Sequence, residues 1–159
     1  MIRKNLIFII LFLFLSNCGY TPIYSKLNTN DLNINVLNIQ GDMDINNLLA
    51  RQIAKYKSLN SEKNFEVKIV SRYRKNSLTK DAAGDATNYR LTLEVDFTTD
   101  VNSKTRTFKF MERVDMKKRE SIFEEEKYEK FIKQDMVNLI IQNFISQIIE
   151  IKWSLKIMN

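Results

Sequence analysis

Histidine is absent from this 159-residue chain, cysteine and proline occur once each, and glycine occurs three times. Without histidine the commonest general base is missing, and no Ser-His or Cys-His pair can form. The single thiol, Cys18, cannot close a disulfide within the chain or build a zinc site. Gly19, Gly41 and Gly84 are too scattered for a phosphate-cradling loop. Enzymatic chemistry would have to rest on carboxylates and lysines alone. The one dense acidic group, Glu124 to Glu126, reads instead as the acids expected at the positive end of a helix. The expectation is therefore a non-enzymatic protein with no catalytic residue, no cofactor and no resident metal.

What the chain does have begins at its start. Arg3 and Lys4 precede an unbroken apolar run, Leu6 to Leu15, and Leu15-Ser16-Asn17-Cys18 follows it. At 1.5 Å per helical residue the run spans about half of a hydrocarbon core of roughly 30 Å, which suits a signal peptide and not a transmembrane helix. The plain readings are a signal peptide with an incidental thiol, or a short anchor that is never cut. The placement of Cys18 at the end of the run favours a third, because it resembles the lipobox of bacterial lipoproteins, where the thiol accepts a diacylglyceryl group and becomes residue one. Residues 1–17 are then a signal peptide and 18–159 a single periplasmic domain on a short lipidated tether. Gly19 stands where an aspartate would signal retention in the inner membrane, so that resemblance implies the outer membrane, facing the periplasm.

Loss of Arg3 and Lys4 with the leader lowers the net charge from +6 to +4. A basic balance commonly suggests nucleic acid, but an exported chain does not meet it. Lipid phosphates and acidic proteins are the acidic partners in that compartment.

The rest of the chain alternates between strand and helix patterns. Leu32, Ile34 and Val36, then Leu37 and Ile39, stand against asparagines in a period-two pattern that slips once, predicting a strand to Gln40. After Gly41, Asp42 or Asp44 can cap a helix carrying Ile45, Leu48, Leu49, Ile53 and Tyr56, to about Ser58. Three strands follow, with Phe65, Val67, Ile69 and Tyr73, then Tyr89, Leu91, Leu93, Val95 and Phe97, then Phe108, Phe110 and Val114 on their dry faces. The stretch Asn76 to Asn88 reads as a polar loop, and Asp100 to Ser103 as a hairpin turn.

The final segment is helical. Ser121 with Glu124 fits a capping box, and Phe131 and Ile132 open an apolar face. That face continues through Met136-Val137, Ile140-Ile141, Phe144-Ile145 and Ile148-Ile149, while the tail from Ile151 to Asn159 reads either as a frayed end or as a contact to a membrane or partner protein. The predicted fold is α+β, a two-layer sandwich of a mixed, mostly antiparallel four-stranded sheet with two helices on one face, in the order β-α-β-β-β-α.

Cys18-Gly19-Tyr20-Thr21-Pro22-Ile23-Tyr24, followed by that element order, resembles the start and layout of the LptE family of lipopolysaccharide-assembly lipoproteins. The resemblance implies an outer-membrane lipoprotein that plugs an LptD-type β-barrel, helps it assemble, and binds lipopolysaccharide on its way to the outer leaflet. The residues supply their own reading. If the apolar positions face the helices, Lys68, Arg72, Arg74, Arg90, Lys109 and Arg113 share the opposite face, as candidates to hold lipopolysaccharide phosphates or sugar acids. Glu66, Glu94, Asp96 and Glu112 lie on the same strands, so the face also reads as ordinary solubilising charge. The alternative function is a general periplasm-facing lipoprotein that binds a protein or peptidoglycan partner through its sheet edge.

Overall fold

A computed structural model describes residues 32–57, 64–101 and 104–157, with side chains described to Ile151. Cys18, the whole LptE-like start and the tail side chains lie outside the described residues.

The elements are β1 (Asn33–Gln40), α1 (Met43–Ile53) ending in a 3-10 turn at Ala54–Tyr56, β2 (Asn64–Lys80), β3 (Ala86–Val101), β4 (Lys104–Lys117) and α2 (Ile122–Ile157). The strands lie in sequence order in one sheet, β1 parallel to β2 and the other pairs antiparallel. The architecture is the expected α+β sandwich. The parallel pair follows from α1, which carries the chain back over the sheet so that β2 starts beside the start of β1, with Asn33 opposite Asn64. The slip in the β1 pattern is a bulge: Val36 pairs with Val67, and the next pair is Asn38 with Lys68, leaving Leu37 unpaired and exposed.

Local signals set the boundaries of α1. The Asp42 side chain accepts a hydrogen bond from the Ile45 N–H at 3.0 Å, a standard N-cap. Ile45, Leu48, Leu49 and Ile53 are buried by it. Gly41 before the cap has φ +117° and sits against Ser71 of β2, where no side chain fits.

Two expectations need correction. The stretch Asn76 to Asn88 is not a loop: β2 runs on to Lys80, β3 starts at Ala86, and only Asp81 to Asp85 turn. Asp81 makes this turn by accepting from the N–H groups of Ala83 and Asp85 at 3.0 and 2.9 Å, with Gly84 at φ +89°. Thr79 and Asn88 pair through side chains at 2.6 Å, so a polar sequence makes a ribbon held by hydroxyls and amides where apolar packing is absent. The expected capping box of Ser121 with Glu124 does not form; Glu125 instead reaches back past Ser121 and accepts from the Arg119 N–H at 3.3 Å.

Both helices cover one sheet face. The core between the layers holds Ile34, Val67, Ile69, Leu91, Leu93, Val95, Phe97 and Met116 from the strands. Ile132, Met136, Val137, Ile140, Ile141, Phe144, Ile145, Ile148 and Ile149 come from α2. Its centre is aromatic: Phe97 and Phe144 stack at 4.1 Å, and Phe108 and Phe110 meet Phe144 edge-on at 5.8 and 6.4 Å. Phe131, expected on the apolar face, is instead 57% exposed; Ile132 is buried. Among the described residues no helix is long and apolar enough to cross a membrane.

Candidate anion-binding face of the sheet

Alternation along β2, β3 and β4 decides which side chains share the face away from the helices. Since Val67, Ile69 and Ser71 point inward, Lys68, Arg72 and Arg74 point outward; the same rule sends Arg90, Glu94 and Asp96 outward from β3, and Lys109, Arg113 and Asp115 from β4. All six candidate cations are exposed on this one surface. Register arranges them in rows across the sheet. Arg74 lies opposite Thr92, which lies opposite Arg113; Asp96 faces Lys109, Arg72 faces Glu94, and Arg90 faces Asp115.

The six do not behave alike. Arg72 spans two acids, at 3.1 Å to Glu94 and 2.9 Å to Asp96. Arg90 grips both oxygens of Asp115, Nε at 2.8 Å and Nη2 at 2.9 Å. Arg74 bonds the second oxygen of Glu94. The bonds to Asp96 and Glu94 raise the Arg72 guanidinium above its ordinary value, and Asp115 does the same for Arg90. In turn Arg72, with Arg74, holds Glu94 below the usual carboxylate range, and Arg90 does so for Asp115. These are cross-strand ties of the sheet. Lys68, Lys109 and Arg113 have no ion pair among the described residues and keep all their donors for an incoming anion. Glu112, read beside them in the sequence, lies on the inner face and does not dilute the charge.

In the row Arg74–Thr92–Arg113 two arginines stand two strands apart, roughly 10 Å between backbones, but Thr92 between them is buried and Arg74 is held by Glu94, which leaves Arg113 as the unpaired guanidinium of the row. Among the described residues no three His, Cys, Asp or Glu side chains gather as a metal would need.

A second polar group lies inside, where the dry face ends, and the sequence pattern did not single it out. Tyr73 donates to Glu129 of α2 at 2.8 Å, and Lys75 donates to Glu125 and Glu129, both at 2.8 Å. Lys133 lies 3.3 Å from Glu129 and 3.7 Å from Asp44 of α1. The group floors a cleft of about 880 Å³ between α1 and the first turns of α2. Its signal in the sequence was the i, i+4 series Glu125, Glu129, Lys133, visible as helix pairing but not as a partner for β2.

The sequence matches no protein-family model and no curated protein. Solved structures do share the fold. The rare lipoprotein B of Shewanella oneidensis superimposes with a TM-score of 0.53 at 16% identity, over 74% of this chain and 99% of that one. A minor lipoprotein of Acinetobacter baumannii gives 0.50 at 13% identity, over 73% and 91%. At these identities the likeness establishes the fold.

Proposed function

We propose that this chain is an outer-membrane lipoprotein of the lipopolysaccharide translocon, anchored through Cys18, that plugs an LptD-type barrel and holds lipopolysaccharide phosphates on the outer face of its sheet. The observation that carries this reading is the conjunction of a lipobox-like Leu15-Ser16-Asn17-Cys18 and an LptE-like start from Cys18 to Tyr24 with a fold shared by two bacterial lipoproteins. Cations in excess on one sheet face fit the ligand: the six and Lys117 against Glu66, Glu94, Asp96, Asp100 and Asp115. Lipid A phosphates are dianionic groups of the kind arginine forks bind in pairs.

The barrel role asks something different of the molecule. A plug needs a rigid body that keeps its shape, and the stacked Phe97–Phe144 core under an ion-paired sheet provides one. Purification of the tagged full chain from detergent-solubilised envelopes tests both parts. A co-purifying β-barrel together with lipopolysaccharide is the expected result. Recovery with soluble periplasmic proteins or peptidoglycan fragments and no barrel overturns it.

A further inference from the structure

β4 is an edge strand of 14 residues that pairs with β3 on one side and, among the described residues, with nothing on the other. Such an edge presents a row of backbone N–H and C=O groups that another strand can take up. Two further observations distinguish it from an ordinary sheet margin. On the inner face, Phe108, Phe110 and Val114 are only half-buried, whereas their partners on β3, Phe97, Val95 and Leu91, are fully buried. The core therefore stops one strand short of closure. On the outer face, Lys109 and Arg113 flank the exposed Met111 and have no ion pair among the described residues, unlike the arginines further into the sheet.

We infer that the free edge of β4 accepts an extended strand from a partner protein, with apolar side chains at alternate positions toward α2 and acidic ones between them toward Lys109 and Arg113. A fifth strand would lie about 4.8 Å away and set its side chains roughly 5 Å from their opposite numbers. Its apolar residues cover the rims of Phe108, Phe110 and Val114 on either side of Glu112, and its carboxylates take Lys109 and Arg113 in competition with any other anion on that face. Backbone bonds supply the affinity, and the alternation of charge and apolar groups supplies the choice of partner. A second copy of this chain is the competing occupant: pairing two β4 strands about Met111 sets Lys109 against Arg113 of the other copy, while pairing about Glu112 brings the two carboxylates together but sets Lys109 opposite Asp115.

The test uses the full chain in detergent and a capped peptide of about nine alternating valine and glutamate residues, a common strand length. Amide hydrogen exchange across Phe108 to Val114 is expected to slow when the peptide is added. The double variant Lys109→Glu, Arg113→Glu, shown folded by circular dichroism, should bind this peptide about tenfold more weakly. It should in turn prefer a valine–lysine peptide that the unaltered chain rejects. Three results overturn the inference: no slowing in β4, slowing that the charge exchange leaves unchanged, or slowing without peptide that grows with protein concentration, which would make a second copy the occupant.

Discussion

Gly41 and Ser71 are in backbone contact: a Cβ built on Gly41 would fall inside the carbonyl oxygen of Ser71 and 2.7 Å from its hydroxyl. The contact sits where β1 ends and the chain turns into α1, so it fixes the crossover that makes the β1–β2 pair parallel. The Ser71 hydroxyl donates to Asn46 of α1 at 2.7 Å, adding a second tie at the same place. Gly41→Ala meets both the clash and a positive φ of +117°, and should cost roughly 2–4 kcal/mol. Gly84→Ala has open space at its turn and meets only the strain of positive φ, so its loss should be the smaller. Thermal melts of the two variants, followed by circular dichroism, check the order.

The inner polar group gives the protein an acid-sensitive joint between β2 and α2. Burial alone would raise the Glu129 carboxyl, but the bonds from Lys75 and Tyr73 and the charge of Lys133 more than offset it, so Glu129 titrates below its ordinary value. Glu125 is lowered by its bond from Lys75. A carboxylate lowered in the folded state stabilises it above the unfolded value, about 4.3 for glutamate, and that stability is lost as pH falls through the folded value. Tyr73 moves the other way. Burial, with the Glu129 bond, raises its phenol far above the ordinary value, so its contribution is complete below about pH 10 and lost above it. Glu129→Gln should flatten the acid limb of a stability–pH curve from urea melts below about pH 4.5. An unchanged acid limb would remove Glu129 from the joint.

The long helix gives a sharper contrast. Ile145 is 3% exposed against the sheet, whereas Phe131, nearer the start of α2, is 57% exposed. Ile145→Asp buries an unpaired carboxylate and should cost several kcal/mol of a total near 5–15 kcal/mol. Phe131→Asp should change stability by under about 0.5 kcal/mol. Chemical denaturation of both variants reads the difference directly.

That contrast also marks where the sequence was legible. Element order, the β1 slip and the dry faces of β2, β3 and β4 follow from side-chain periodicity, because burial on one face leaves a period that a single chain records. Phe131 is misplaced by its sequence because it looks like the later adjacent pairs, both of whose members are buried, and the pattern does not show that near the start of α2 only Ile132 is buried. Asn76–Lys80 was read as a loop since its polar residues carry no burial signal; pairing there rests on backbone bonds and on Thr79, Thr87 and Asn88 side chains that find each other only across the hairpin. For the candidate face, alternation places six cations together, but it does not reveal that Arg72, Arg74 and Arg90 are held by Glu94, Asp96 and Asp115. Those pairings are set by register between strands.

Cys18 is expected to be acylated, from its place after the apolar run. One acyl chain, at about 0.8 kcal/mol per buried CH₂, anchors only marginally, so stable attachment needs the two or three chains of a lipoprotein. Cys18→Ser should accumulate as an uncut precursor. Mass spectrometry that finds a mature N-terminus at or near Cys18 without lipid mass would count against it.

The functional prediction follows from the division among the cations. Lys68, Lys109 and Arg113 are unpaired among the described residues, whereas Arg72 and Arg90 already spend their donors on Glu94, Asp96 and Asp115. If the face holds lipopolysaccharide phosphate, reversing the first three to glutamate should weaken binding strongly and leave the fold intact, since exposed changes usually shift stability by under about 0.5 kcal/mol. Arg72→Gln should cost less binding while loosening the sheet, because it leaves Asp96 without a cation and Glu94 with Arg74 alone. Binding by the unaltered chain should also fall with added salt, as charges farther apart than roughly 8 Å are screened at physiological ionic strength. The proposed barrel contact depends on packing over a large area more than on these charges, so the triple reversal should still co-purify with any barrel that the unaltered chain brings down. Equal lipopolysaccharide affinity for the triple variant and the unaltered chain, both folded, would take the sheet face out of the binding step and leave the plug role standing on the Cys18 start and the fold.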